Sequence, residues 1–125
     1  MAMAFPKGPP FDELAVVLVD DAAMPACKER CFGLRIQTDV LSQAYDGVPG
    51  VCGPSADLVI NAERALEQGS LRPGGPWREL ALYLAHGIDH LAGRDDDTPA
   101  RRRSMRRREL RWLSRLPAPL LPPLP

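Results

Sequence analysis

Apolar residues follow two different spacings along this chain. Over the first sixty residues they form short runs bounded by turn-forming residues, a pattern that predicts β-strands. The strands are expected at residues 14–19, 38–42 and 56–60. The first run is continuously apolar and ends at Asp20, which is typical of a buried strand.

Two short helices are predicted between and after these strands. Asp21 can cap a helix over residues 21–32, and Gly33 can end it, because glycine readily adopts the left-handed conformation of a helix C-terminus. A second helix is expected at residues 62–69. The stretch 43–55 is rich in glycine and proline and is predicted to be a loop.

From Pro76 onward, apolar residues recur at helical spacing, and proline suits a first helical turn. The stripe expected to pack on the sheet is Trp77, Leu80, Leu84, Ile88 and Leu91. The neighbouring face carries Glu79, Tyr83, His86 and His90. This face carries the candidate metal ligands, and we expect Glu79 to be an exposed carboxylate on it.

A last helix is predicted from Thr98, a good N-cap, through Ser114. Its docking residues are expected to be Met105, Trp112, Leu113 and Leu116. Seven arginines surround them: Arg101, Arg102, Arg103, Arg106, Arg107, Arg108 and Arg111. They form either a solvated helix face or a patch that contacts phosphates through guanidinium groups.

The alternation of strands and helices predicts an α+β fold, an α/β-type sandwich in which one small mixed sheet packs with helices. The length suits one domain, expected at residues 13–116. Residues 1–12 are predicted to be a flexible lead. Residues 117–125 hold five prolines in nine positions and are predicted to be a tail without helix.

Charge is unevenly distributed although its sum is zero. Residues 99–125 hold eight arginines and a single acid, Glu109, which points to an anionic partner. No apolar run is long enough to span a membrane, and the first residues lack the pattern of a signal peptide. Three cysteines cannot all pair. We therefore expect a cytoplasmic protein that does not contact a membrane.

The two histidines of the chain, His86 and His90, are four residues apart. On a helix this spacing places both imidazoles on one face, where they can bind one metal ion. Gly93 can end the helix and turn the chain, so that one of the three aspartates at 95–97 supplies a third ligand. A zinc protease of the H-E-x-x-H type is disfavoured, because Gly87 stands where its glutamate would be.

The run His-Gly-x-x-His-Leu-x-Gly-x-Asp, followed by Thr98-Pro99 and Met105, resembles the YbeY family of metal-dependent endoribonucleases. Two upstream segments agree in order and distance, Thr-Asp-Val-Leu-Ser at 38–42 and Ala-Asp-Leu-Val-Ile at 56–60. The resemblance covers about residues 13–112, and it leaves the opening strand and helix of the family without a counterpart.

The resemblance implies a single-strand-specific endoribonuclease that acts in ribosomal RNA maturation and ribosome quality control. It implies one Zn²⁺ per chain, ribosomal RNA as substrate and the small ribosomal subunit as partner. Asp96 occupies the position of the family's third histidine ligand, so the implied metal ligands are His86, His90 and Asp96. Asp95 and Asp97 stay open as alternatives, since a carboxylate oxygen from either is also an acceptable zinc ligand.

Further roles are implied for residues outside this motif. The family places an arginine shortly before the Thr-Asp-Val-Leu-Ser segment; Arg35 is the nearest here, at a different offset, and is assigned as a substrate contact. Asp39 and Ser42 would flank the groove or act structurally. Asp89 replaces a leucine of the family and is interpreted as a solvated residue, a proton acceptor or a partner of the ligands.

Two other classes of function stay open. An exposed three-ligand site also permits another zinc hydrolase, such as a peptidase. The replacement of a histidine ligand by Asp96 also permits a ribosome-associated RNA-binding protein that has lost catalysis. The oligomeric state is not indicated by the sequence.

Overall fold

The computed structural model describes residues 10–115. The elements in chain order are β1 Glu13–Val19, α1 Met24–Phe32, β2 Val40–Tyr45, β3 Ser55–Asn61, α2 Ala62–Ser70, α3 Gly75–Leu91 and α4 Pro99–Ser114. Within this part of the chain, no helix combines the length and apolar character that crossing a bilayer requires.

The three strands form one mixed sheet with β3 at its centre. β1 runs parallel to β3, with Val17 beside Val59, and β2 runs antiparallel to it, with Leu41 beside the same valine. The helices pack with this sheet, so the predicted α+β class with one small mixed sheet is confirmed.

The buried face of β3 supports helix α3, which carries both histidines. Ala56, Leu58 and Ile60 alternate along β3 and are almost fully buried, as expected for one face of a strand. Gly87 of α3 lies directly over this face, and a Cβ atom there would approach Leu58 Cδ2 to 2.7 Å. The helix therefore sits close to the sheet at the point between His86 and His90.

Helix α4 packs against α3 and begins where the sequence predicts. The Thr98 hydroxyl accepts a hydrogen bond from the Arg101 N–H, which caps the first turn. Met105 and Leu113 are buried as expected for the docking face, and Glu109 lies between them at 2% exposure. This face therefore contains a buried carboxylate as well as apolar residues.

Several predicted boundaries and exposures are wrong. Asp21 does not cap α1, which begins at Met24, where the Asp20 carboxylate accepts from the Ala23 N–H instead. The strand predicted at residues 38–42 is shifted to Val40–Tyr45 and extends into the expected loop.

The first strand is exposed rather than buried. Among residues 10–115 it pairs with β3 alone, and Val16, Val17 and Leu18 keep 48%, 45% and 56% of their surface exposed. An apolar run alone does not distinguish a central strand from an edge strand. Leu116, residues 1–9 of the predicted lead and the tail at 117–125 lie outside the described residues.

Candidate metal centre

The two imidazoles project side by side from α3. Their Nε2 atoms lie 3.1 Å apart, with the ring planes nearly perpendicular at 88°. Both side chains are about 30% exposed, at 30% for His86 and 29% for His90. The helical spacing of the two histidines thus produces a pair of nitrogen atoms that point to one accessible location.

The turn after α3 brings a carboxylate to the same location. Gly93 adopts φ 88°, in the left-handed region that glycine tolerates, and the chain reverses there. Asp96 Oδ2 lies 3.7 Å from His86 Nε2 and 4.0 Å from His90 Nε2. One ligand atom from each of these three residues falls within 4.8 Å of the others.

The two neighbouring aspartates make other contacts. Asp95 accepts a hydrogen bond from the Asp96 N–H at 2.8 Å, which holds the turn. Asp97 forms an ion pair with Arg101 at 2.8 Å, one turn into α4. Among the three candidates for the third ligand, the structure therefore brings Asp96 to the histidines.

Each imidazole has a hydrogen-bond acceptor at its other nitrogen. His86 Nδ1 lies 2.9 Å from Glu109 Oε2 of α4, and His90 Nδ1 lies 3.2 Å from the Arg94 carbonyl oxygen. A carbonyl oxygen can only accept, so His90 Nδ1 carries the hydrogen. Such acceptors fix the orientation and tautomer of metal-binding histidines.

Glu109 raises the pKa of His86. Its hydrogen bond is the largest cause, burial opposes it, and the negative charges of Glu109, Asp96 and Asp39 add to the increase. Protonation of His86 competes with metal binding at Nε2. Metal binding is therefore expected to weaken as pH falls through this raised pKa.

The donor set fits a divalent cation. With hydrogen on both Nδ1 atoms, the lone pairs of two Nε2 atoms 3.1 Å apart face one accessible location, where a hydrogen-bond donor such as water, or a cation, stabilises them. Nitrogen ligands about 2.0–2.1 Å from a tetrahedral zinc ion lie roughly 3.3 Å apart. A small movement of Asp96 would complete three ligands and leave a fourth position open.

Glu109 was not predicted as part of this centre, although the sequence contains a signal for it. Met105, Glu109 and Leu113 are spaced four residues apart, so the one acid of a basic segment falls in the middle of the docking face. A carboxylate on such a face requires a buried partner. The partner is His86, 23 residues earlier in the chain.

Two carboxylates of α3 are buried and paired with arginines. Glu79 is 4% exposed, not an exposed carboxylate, and bonds Arg72 at 2.6 Å. Asp89, for which the sequence left a solvated position, a proton acceptor and a partner of the ligands open, is fully buried. It pairs with Arg108, one of the α4 arginines expected either in solvent or against phosphate. Helical spacing places residues on a face but does not show which neighbouring element covers that face.

A cavity of about 200 Å³ extends from His86 along α3. Its lining includes Asp39, Arg64, Arg72, Glu79, Tyr83 and Arg106. A second cavity of about 250 Å³ shares His86, Arg106 and Glu109 and adds Asp96 and Arg102. These two cavities together form a cleft that adjoins the candidate metal centre and is lined by several arginines.

Arg64 and Arg106 are exposed and make no ion pair within residues 10–115, so their guanidinium groups are available to an anion. Arg102 donates to the Asp96 carbonyl at 3.2 Å. Burial, followed by the charges of Glu79 and Asp39, raises the pKa of Tyr83 to about 12, so its hydroxyl stays protonated. The cleft therefore offers hydrogen-bond donors suited to phosphate oxygens.

The three candidate residues that precede α3 in the sequence differ in their position relative to the candidate metal centre. Asp39 lines the cavity of about 200 Å³, together with His86. Ser42 is half-buried in β2. Arg35 lies after α1, where its exposed guanidinium pairs with Glu29 at 2.9 Å, and it lines neither of the two cavities.

Comparison with known proteins links this arrangement to one family. The family model described as Endoribonuclease YbeY matches residues 2–117. Proteins named Endoribonuclease YbeY are 33% identical in Rhodopirellula baltica and 35% identical in Anaeromyxobacter sp., each over 78% of this chain. A third, from Thermodesulfovibrio yellowstonii, is 32% identical over 88% of this chain.

The matches differ in how much of each relative they include. They cover 60% of the Rhodopirellula protein, 50% of the Anaeromyxobacter protein and 70% of the Thermodesulfovibrio protein. The chain thus spans between half and three fifths of the first two relatives.

Replacement of Asp96 is expected to weaken metal binding more than replacement of its neighbour. Asp96→Ala removes a carboxylate that faces both Nε2 atoms, whereas Asp97→Ala removes an ion pair with Arg101. Zinc content and zinc affinity, measured by competition with a chromophoric chelator, distinguish the two. Full and equal zinc content in both variants would contradict the assignment of Asp96.

Glu109→Gln is expected to lower zinc affinity by about 10–100-fold, the usual effect of removing an acceptor behind a ligating histidine. It should also lower the pKa of His86 in the metal-free protein, because the charge that stabilises the imidazolium is lost. That charge stabilises the folded protein below the ordinary histidine pKa of about 6.5, and its contribution disappears as pH rises through the raised pKa.

An NMR titration of the two histidines and chelator competition measure both effects. Glu29→Gln is the control, since Glu29 pairs with Arg35 on the surface. A Glu109→Gln protein with wild-type zinc affinity and His86 titration would refute the role of Glu109.

Proposed function

Since this chain belongs to the YbeY family, we propose that it is a metal-dependent, single-strand-specific endoribonuclease that acts in ribosomal RNA maturation and ribosome quality control. The observation that carries the proposal is that three potential ligand atoms lie close together beside two adjoining cavities lined by arginines. A metal centre and a set of phosphate-binding donors are the two parts that hydrolysis of a phosphodiester requires.

In this proposal His86, His90 and Asp96 hold one Zn²⁺. A divalent ion there would polarise a phosphate oxygen and lower the pKa of a water molecule toward 7. Glu109 and the Arg94 carbonyl hold hydrogen on the two Nδ1 atoms, which leaves both Nε2 atoms free to bind. Gly87 provides no carboxylate beside His86, so activation of water rests mainly on the centre itself.

The arginines of the cleft would position the RNA. Arg106 borders both cavities, Arg102 lines the cavity that contains Asp96, and Arg64 of α2 lines the other. Guanidinium groups pair with phosphate oxygens in a fixed planar geometry. We assign substrate binding to these residues in preference to Arg35, which lies outside the cleft and pairs with Glu29.

Ribosomal RNA, free or in the small ribosomal subunit, is the substrate that we propose, and the cytoplasm is the compartment. The three cysteines Cys27, Cys31 and Cys52 are free thiols, a state that a reducing compartment maintains. The exposed arginines of α4 supply the charge for binding an extended polyanion.

Metal-stripped protein is expected to leave a single-stranded ribosomal RNA fragment intact and to cleave it after zinc is added back. His90→Ala, which lacks one ligand, should stay inactive with added zinc. Gel analysis of the fragment and of a duplex control measures both activity and strand preference.

Other outcomes identify the alternatives. Tight RNA binding without cleavage by zinc-loaded protein would indicate a non-catalytic RNA-binding protein. Cleavage of casein with no cleavage of RNA would indicate a peptidase. Either result would reject the endoribonuclease.

The double variant Arg102→Ala/Arg106→Ala is expected to bind single-stranded RNA more weakly and with a smaller dependence on salt. Each lost phosphate contact should reduce the slope of log affinity against log salt by about 0.7. Arg103→Ala/Arg107→Ala is the matched control, because these arginines are exposed on the same helix but line neither cavity.

Fluorescence anisotropy at several salt concentrations, with metal-stripped protein, measures these slopes without cleavage. Equal losses of affinity in the two double variants would show that the whole basic helix, rather than its cleft side, binds RNA.

A further inference from the structure

The most completely buried charge in the described region is the carboxylate of Asp89. It lies on α3 one residue before His90 and has 0% exposure. Arg108 donates to it twice, from Nε to Oδ1 at 2.9 Å and from Nη2 to Oδ2 at 3.1 Å. Arg94 adds a third hydrogen bond, from Nη1 to Oδ1 at 3.1 Å. Two arginines from two different segments therefore meet at one carboxylate.

The Arg94 contact connects Asp89 to His90. The Arg94 N–H donates to the Asp89 carbonyl at 3.3 Å, so both the backbone and the side chain of Arg94 bind the same residue. The Arg94 carbonyl, in turn, accepts the hydrogen of His90 Nδ1 at 3.2 Å. Asp89 thus holds the acceptor that turns His90 Nε2 toward Asp96 and His86.

The Arg108 contact connects Asp89 to His86. Arg108 is followed directly by Glu109, whose carboxylate accepts from His86 Nδ1 at 2.9 Å. A bidentate pair fixes both distance and direction, so it sets the register of α4 against α3. Loss of the pair would leave Glu109 free to shift relative to His86.

We propose that Asp89 is a positioning residue of the metal centre: through Arg94 and Arg108 its carboxylate holds the two acceptors that keep His86 and His90 as Nδ1–H tautomers with Nε2 free. This inference rests on the metal-binding part of the proposed function and not on RNA cleavage. If the ion pair contributed only to folding, its removal from a protein that stays folded would leave the tautomers of both histidines unchanged.

The test uses metal-free, ¹⁵N-labelled protein at a pH above the histidine range. The chain has two histidines, so a long-range ¹H–¹⁵N correlation spectrum shows two imidazoles, each with a pattern that identifies its tautomer. In the wild-type protein both are expected to carry hydrogen on Nδ1. In Asp89→Asn both should shift toward the Nε2–H form, and zinc affinity should fall by about tenfold or more.

If Asp89→Asn does not fold, two further variants test separately the connection to His90 through Arg94 and the connection to His86 through Arg108. Arg94→Gln should change the tautomer of His90 while His86 keeps the wild-type pattern. Arg108→Gln should change His86 while His90 keeps its pattern. A general loss of packing is not expected to change one histidine and leave the other unchanged.

Glu79→Gln is the matched control, because Glu79 is a buried carboxylate on the same helix that also pairs with an arginine. Its two histidines should keep the wild-type tautomers. Wild-type tautomers in folded Arg94→Gln and Arg108→Gln, or identical changes at both histidines in each, would overturn the proposal. RNA is absent from these measurements, so a failure of the endoribonuclease proposal would leave their result unaffected.

Discussion

A neutral imidazole binds a cation through the nitrogen that carries no hydrogen, and an acceptor for the hydrogen on its other nitrogen fixes that tautomer and the orientation of the ring. Much of this structure supplies those two acceptors. The turn after Gly93 provides the Arg94 carbonyl to His90, and the docking of α4 provides Glu109 to His86. Helix α3 contributes both rings, but α3 alone would not determine which of their nitrogens faces the cleft.

The interface between α3 and α4 is correspondingly polar. Glu109 and Asp89 are buried there among apolar contacts such as Met105, and both carboxylates are hydrogen-bonded. Burying paired charges gives less stability than apolar contacts of similar size. Their effect is directional, since a bidentate pair admits one register whereas apolar side chains tolerate several. The paired charges of the interface therefore fix the positions of the residues around the candidate metal centre, and the apolar residues hold the two helices together.

The sequence predicted the parts of this arrangement that depend on local spacing. The His86 and His90 pair, the turn at Gly93 and the cap at Thr98 follow from helical geometry and from the conformations that single residues favour. It did not predict that Glu79 and Asp89 are buried, because burial depends on elements that pack from distant parts of the chain. Arg108 differs from the arginines around it only through its contact with Asp89, 19 residues earlier.

If Asp96 is a metal ligand as proposed, its negative charge would also change the attraction of the centre for a phosphate group. One carboxylate would neutralise one of the two charges of a divalent ion, so the attraction of the centre for phosphate would decrease. Arg102, beside the Asp96 backbone, and Arg106, at the junction of both cavities, carry positive charge at this location. The arginines next to the centre can therefore restore the attraction that the anionic ligand removes. Because they donate through planar groups, they also orient the phosphate, which a spherical ion does not.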